Sequence, residues 1–182
     1  MRRALAGNAA IAEATAGMKL EGVLDGGWSR TFANPANGER WLETYMQAWR
    51  HGGGFQVLMR LPRPERSDWL ELVAHSSYVA EIWVAAMALG EDPESYEVLL
   101  GVLVDAARQA EWQRIGIAAT WSGITSPMNR RPILGKALAE ITIDAEHFER
   151  IATEASQLLA RTSEIVGVSF REFDQWLDAP HA

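Results

Sequence analysis

At 182 residues the chain has the length of one domain, enough to bury a hydrophobic core without covalent staples. It has no cysteine, which excludes disulfides and thiolate-held metals and fits a reducing cytoplasm. The net charge of -7 is unevenly spread: nine Lys/Arg stand against six Asp/Glu up to Arg66, and eight against eighteen from Ser67 on. That acid excess argues against nucleic acid as a partner, because phosphate binding needs clustered cations.

Met1-Arg2-Arg3 before an alanine-rich stretch is a poor targeting segment, since Asn8 and Glu13 interrupt the apolar region it needs. No run approaches the roughly 18 apolar residues of a membrane span, so a soluble cytoplasmic protein without membrane insertion is expected.

Residues 1–38 read as an irregular or partly helical segment. The first seventeen are alanine-rich, with Ile11 the only large aliphatic after Leu5. From Met18 to Gly38 the glycines, Pro35 and the Asn37-Gly38 pair mark a connection, and Met18 to Leu24 is the one weak strand candidate. Residues 39–182 read as a helical domain. Trp41, Leu42, Tyr45, Met46 and Trp49 fit a helix from Glu39 to Arg50, ended by Gly52-Gly53-Gly54, and Phe55 to Leu61 fits a short one stopped at Pro62.

Pro64 suits the first turn of a helix bearing Trp69, Leu70, Leu72 and Val73, and His75-Ser76-Ser77 then loosens the pattern. Tyr78, Val79, Ile82, Trp83, Ala86 and Met87 restore a helical stripe, as a continuation or after a bend. Asp92 can cap the next helix, with Pro93 at its first position and Tyr96, Leu99, Leu100, Leu103 and Ala107 on its buried stripe. A further helix places Trp112, Ile115 and Ala119 on one side and closes at Trp121-Ser122-Gly123.

Ser126-Pro127 and Arg131-Pro132 bound a loop before a helix from Ile133 to Ile143. Asp144 can cap the longest helix, which carries Phe148, Ile151, Ala155, Leu158, Leu159, Thr162, Ile165 and Val166 and stops at Gly167. Ser169 and Glu172 have capping-box spacing before Phe173, Trp176 and Leu177, predicting a short terminal helix. The expected fold is all-α, a single domain of seven to eight helices in stacked antiparallel pairs or a bundle.

No chemical motif is complete. His51-Gly52-Gly53-Gly54 matches an oxyanion-loop motif, but the serine elbow and strands that such chemistry needs are missing, so it reads as a turn. Glu71 and His75 sit one helical turn apart, yet no Glu-x-x-His pair exists to build a metal site. Gly135-Lys136 lacks the earlier glycine of a phosphate loop. No catalytic, cofactor-binding or metal residues are therefore expected, and an enzyme built from Glu71, His75 and Glu81 is the remote alternative.

Eight tryptophans are many for this length. Most fall on apolar stripes, whereas Trp28, Trp121 and Trp176 lie in or beside irregular segments and are candidates for partner contact as well as for packing. Arg50, Arg60, Arg63 and Arg66 cluster around two prolines, either as solvated or paired loop charges or as a patch for an acidic partner. The partner-binding candidates are thus Trp28, Arg60, Arg63, Arg66, Trp121 and Trp176.

From Trp41 to Gly167 the order of features resembles a family of small uncharacterised helical proteins encoded near bacterial type VI secretion genes. The likeness rests on the opening helix, here Trp41 to Trp49, the Leu61-Pro62 stop followed by a Trp-bearing helix at Trp69, and Glu81-Ile82-Trp83-Val84 leading to Asp92-Pro93-Glu94. Ala118-Ala119-Thr120-Trp121-Ser122-Gly123 and a last pair of helices complete it. The resemblance implies an accessory or adaptor role and carries over no catalytic residue. The expected function is a non-enzymatic interaction module of a bacterial secretion or effector system. Its partner would be a secretion component, an effector or a toxin, or a second copy in a homo-oligomer. The alternatives are an immunity protein that neutralises a cognate toxin, where acidic charge would speed capture of a basic one, and a small enzyme.

Overall fold

Lys19–Leu24 is a strand, in agreement with the weak candidate at Met18 to Leu24, and Ser29–Ala33, Arg40–Met46 and Phe55–Arg60 are strands where the rest of the connection and two helices are expected. The computed structural model describes residues 2–47 and 53–167. β1 (Ala4–Ala6) leads through α1 (Asn8–Thr15) to β2 (Lys19–Leu24), β3 (Ser29–Ala33), β4 (Arg40–Met46) and β5 (Phe55–Arg60). They form one antiparallel sheet in the order β1-β5-β4-β3-β2. Among the described residues the fold is therefore mixed α/β, 55% helical and 17% strand with six helices, which overturns the all-α bundle. Sheet pairing of β3 with β4 crosses the boundary between residues 38 and 39, where the helical domain is expected to begin.

The physical reason lies in burial of both sheet faces. Along β4, Leu42 and Met46 point toward the main core, while Trp41 points to the opposite face with Phe32, Leu58 and Ile11 of α1. In β5, Val57 and Met59 face one core and Leu58 the other. When both faces are apolar the period of two disappears, and adjacent pairs such as Trp41-Leu42 imitate a helical stripe. Bulky and β-branched residues such as Trp41, Thr44, Tyr45 and Val57 then favour the strand.

Five helices follow. They are α2 (Arg66–His75), α3 (Val79–Gly90), α4 (Tyr96–Arg108), α5 (Trp112–Ser122) and α6 (Leu138–Val166). α3 is the centre of the body: every residue from Glu81 to Gly90 is buried. It packs on β1, α2 and α5, with α4 and α6 beyond. The chain bends between α2 and α3, where Ser76 Oγ donates to Glu81 Oε2 at 2.5 Å and the Arg3 backbone N–H donates to Glu81 Oε1. A buried carboxylate thus ties β1 to the first turn of α3, so its desolvation is matched by donors.

Two other expectations shift. A single 3-10 turn, Pro93–Ser95, precedes α4, and Asp92 spends its carboxylate on Arg66 at 2.5 and 3.0 Å instead of capping. The two helices expected to meet at Asp144 are one 29-residue helix beginning at Leu138. Asp144 lies inside it because Lys136 and Arg131 draw its carboxylate away from the backbone, at 2.6 and 2.7 Å. The terminal helix expected after Ser169, and His51 and Gly52 of the expected turn, lie outside the described residues.

The carbonyl ends of α3 and α5 converge. A Cβ on Gly90 would stand 2.4 Å from the Ser122 carbonyl oxygen, so only glycine permits the approach. Four carbonyls there accept a side-chain donor from outside the two helices. Ser95 Oγ donates to Leu89 at 3.1 Å, Arg130 Nη1 to Gly90 at 2.9 Å, Gln47 Nε2 to Trp121 at 2.9 Å and Tyr96 Oη to Ser122 at 2.9 Å. Phe55, Trp83 and Trp121 stack edge-on beside this junction, with centroids 5.1 to 5.4 Å apart.

Leu99, on the buried stripe of α4, is fully enclosed, while Leu159 is half-buried on α6. Leu99→Asp is expected to abolish cooperative unfolding, since an unpaired buried charge costs several kcal/mol against a typical total of about 5 to 15. Leu159→Asp should lower the urea midpoint yet leave the circular dichroism spectrum folded. An unchanged midpoint for Leu99→Asp would place the stripe on the wrong face.

Candidate functional site

Among the described residues the outer sheet face is only half covered: α1 closes it over Phe32, Trp41 and Leu58, and no described helix is packed on β2 or on the far ends of β3 and β4. The register places Val23, Arg30 and Glu43 in one row across β2, β3 and β4, with Tyr45 and Gln56 paired in the next. Between β2 and β3 the chain turns through Gly26 and Gly27, both at positive φ (65° and 105°), which hands Trp28 to the same end of the face.

Trp28 is 57% exposed and Val23 58%. Trp28 packs edge-on against Tyr45 at 5.4 Å, a geometry that ring quadrupoles favour. Beside this pair lies a fixed polar floor. Glu43 is buried, and its Oε1 accepts from Arg30 Nε at 2.9 Å, from Arg30 Nη2 and from Gln56 Nε2 at 2.8 Å. Arg30 also lies over the Phe32 ring, and its outer half reaches solvent. An exposed aromatic in the β2–β3 turn, braced by a second ring and flanked by a half-exposed guanidinium, suits protein recognition.

Of the described residues singled out from sequence, only Trp28 belongs to this surface. Arg60 pairs with Glu39 at 2.9 Å at the end of β5, Arg63 is exposed beyond Pro62, and Arg66 is held by Asp92. They lie along the β5–α2 connection, and two of the three have carboxylate partners there. Trp121 is 4% exposed and sits in the aromatic cluster with Phe55 and Trp83, the packing alternative weighed for it. Trp176 lies outside the described residues. Tyr45, Val23 and the Arg30–Glu43–Gln56 network escaped sequence reasoning because Tyr45 fits a helical stripe as well as a strand.

The residues of the enzyme alternative have other partners. Glu81 is occupied by Ser76 and the Arg3 amide, Glu71 is exposed with Arg3 at 3.9 Å, and His75 is exposed. Among the described residues no group of three or more His, Asp or Glu is placed to hold a metal ion, and no helix is long and apolar enough to cross a membrane.

A second apolar patch surrounds the start of α6, where Leu134 is 94% and Leu138 79% exposed. Its loop is pinned to the body by Arg131, which reaches Glu94 at 2.7 and 2.9 Å and Asp144 at 2.7 Å. Hydrogen bonds from Lys136 and then Arg131 hold the Asp144 carboxyl below its usual value, and the Arg131 bond does the same for Glu94. The same two carboxylates push the Arg131 guanidinium upward.

The chain matches no protein-family model, no curated protein and no solved structure. The site is therefore judged on its own geometry.

Because the folded pKa of Asp144 lies below its ordinary 3.8, this anchor contributes fully above that value and is lost as pH falls through the lowered one. Asp144→Asn should therefore melt below the wild type above about pH 5, and the two should converge in stronger acid. Melting curves separated equally at all pH values would remove Asp144 from the acid transition.

Proposed function

We propose that the protein is a non-enzymatic protein-interaction module, an accessory or adaptor, that docks a partner on the uncovered end of its outer sheet face. The observation that carries this is Trp28, a large exposed ring in the turn between β2 and β3, packed edge-on against Tyr45 of β4. A preorganised aromatic loses little rotamer freedom on binding, and interfaces take most of their affinity from a few such side chains. Val23 widens the apolar centre, and the exposed part of Arg30 favours a partner carboxylate at the rim.

A place in a bacterial secretion or effector system is what the family resemblance implies. It draws on the features after Pro62, since the described part of its opening segment, Arg40–Met46, is a strand. Neutralisation of a basic toxin is the second role, favoured by the acid excess after Ser67 and by Glu146, Glu149 and Glu164 exposed along α6. Rescue of cells that co-express a toxin would separate it from an adaptor, which leaves toxicity unchanged.

The docking role is tested by affinity capture from the native host followed by mass spectrometry. At least one protein retained by the wild type should be lost with Trp28→Ala and kept with Arg63→Ala, both variants melting as the wild type does. Identical recovery with Trp28→Ala would remove the surface from the function.

A further inference from the structure

β2 is the outermost strand of the sheet, and it is bare. Five of its six residues are exposed, and Gly22 alone is partly covered. Leu20, Val23 and Leu24 expose 50%, 58% and 48% of their surface. The outer N–H and C=O groups of β2 pair with no other strand among the described residues. Folded proteins normally blunt such an edge with lysine, proline, a bulge or a covering segment, because an apolar free edge recruits another strand. β2 has Lys19 at its start and a bulge at Glu21, but among the described residues no segment covers it and Leu20, Val23 and Leu24 stay exposed. The opposite edge follows that rule: β1 is three residues long, with Ala4 and Ala6 buried.

The register of β2 makes it complementary to itself. Glu21 is the extra residue in the pairing with β3, so Leu20 and Val23 share the outer face while Lys19 and Leu24 share the inner one. With Glu21 bulged out of this pairing as it is from the pairing with β3, a second β2 laid antiparallel about a twofold axis through Gly22 sets Leu20 against the partner's Val23 on the outer face, twice. On the inner face the stem of Lys19 crosses the partner's Leu24, with the partner's Asp25 one position beyond. At the axis two glycines meet, and neither carries a side chain to obstruct the other. Glu21, the one carboxylate near the axis, is already paired with Arg40 at 2.8 Å. Centring the pairing on Glu21 instead would set two carboxylates face to face, which is unfavourable.

We infer that β2 pairs with β2 of a second copy around Gly22, joining two five-stranded sheets into one continuous sheet. The contact is isologous, the commonest symmetry of soluble oligomers. One strand pair buries less than a large obligate interface, so the dimer forms and dissociates with concentration. The axis stands perpendicular to the sheet, so both outer faces point the same way and two Trp28–Tyr45 surfaces lie side by side. Only that last consequence rests on the docking role; the strand pairing does not.

Sedimentation equilibrium over a concentration series tests the pairing. The wild type should rise from the 20.1 kDa chain mass toward twice that value. Leu20→Lys with Val23→Lys should remain at 20.1 kDa with an unchanged circular dichroism spectrum, since both side chains are exposed. Leu134→Lys on the second apolar patch and Trp28→Ala should both still dimerise, the latter separating this result from failure of the docking role. A wild type that stays at the chain mass at the highest attainable concentration overturns the pairing and leaves the edge to an extended segment of another protein. A dimer that persists in the double variant, or that is lost with Leu134→Lys, overturns it as well.

Discussion

The fold depends on the meeting of two helix ends. At Gly90 and Ser122 the carbonyl termini of α3 and α5 come together so closely that no side chain fits between them. Carbonyls at a helix end have no partner within the helix, and burying them unsatisfied costs about 1 to 3 kcal/mol each. Here the donors come from distant parts of the chain: Gln47 after β4, Ser95 and Tyr96 at the entry to α4, and Arg130 from the loop before α6. One requirement of local hydrogen bonding thereby joins the sheet, the helical body and the long loop.

This junction also fixes the sheet relative to the helices. Gln47 leaves β4 at a positive φ of 52°, donating its backbone N–H to Glu91 at 2.8 Å and its side-chain amide to Trp121. Phe55 returns at the start of β5 to meet Trp83 and Trp121. Both central strands are held at their junction ends, so the outer face beyond α1 is presented on a firm base. β2 and β3 extend from this anchored part with fewer buried side chains, and there the exposed aromatic surface and the bare edge lie together.

Much of the helical body is legible in the sequence. The α4 stripe of Leu99, Leu100 and Leu103 is buried as its spacing predicts, and Gly123 and Gly167 end their helices at positive φ, 71° and 68°. β2 falls on the weak strand candidate at Met18 to Leu24, whereas β4 reads as a helix because Trp41 and Leu42 are buried on opposite faces, a circumstance that depends on α1 and the helical body and on no local signal. Trp28 stood out because it follows two glycines in an otherwise polar turn. Tyr45 could be joined to it only through the register of β3 and β4. The arginines near Pro62 looked like a free cationic patch because Glu39 and Asp92, the carboxylates that hold Arg60 and Arg66, come from other elements.

Gly90→Ala bears most directly on the junction. In an ordinary helix interior this exchange gains up to about 1 kcal/mol, because alanine is the better helix former. At Gly90 the added methyl would strike the Ser122 backbone, so chemical denaturation should show a loss of about 1 to 3 kcal/mol, as for an overpacked core. A variant as stable as the wild type, or more stable, would show that the two helix ends do not meet closely and that the fold is held together elsewhere.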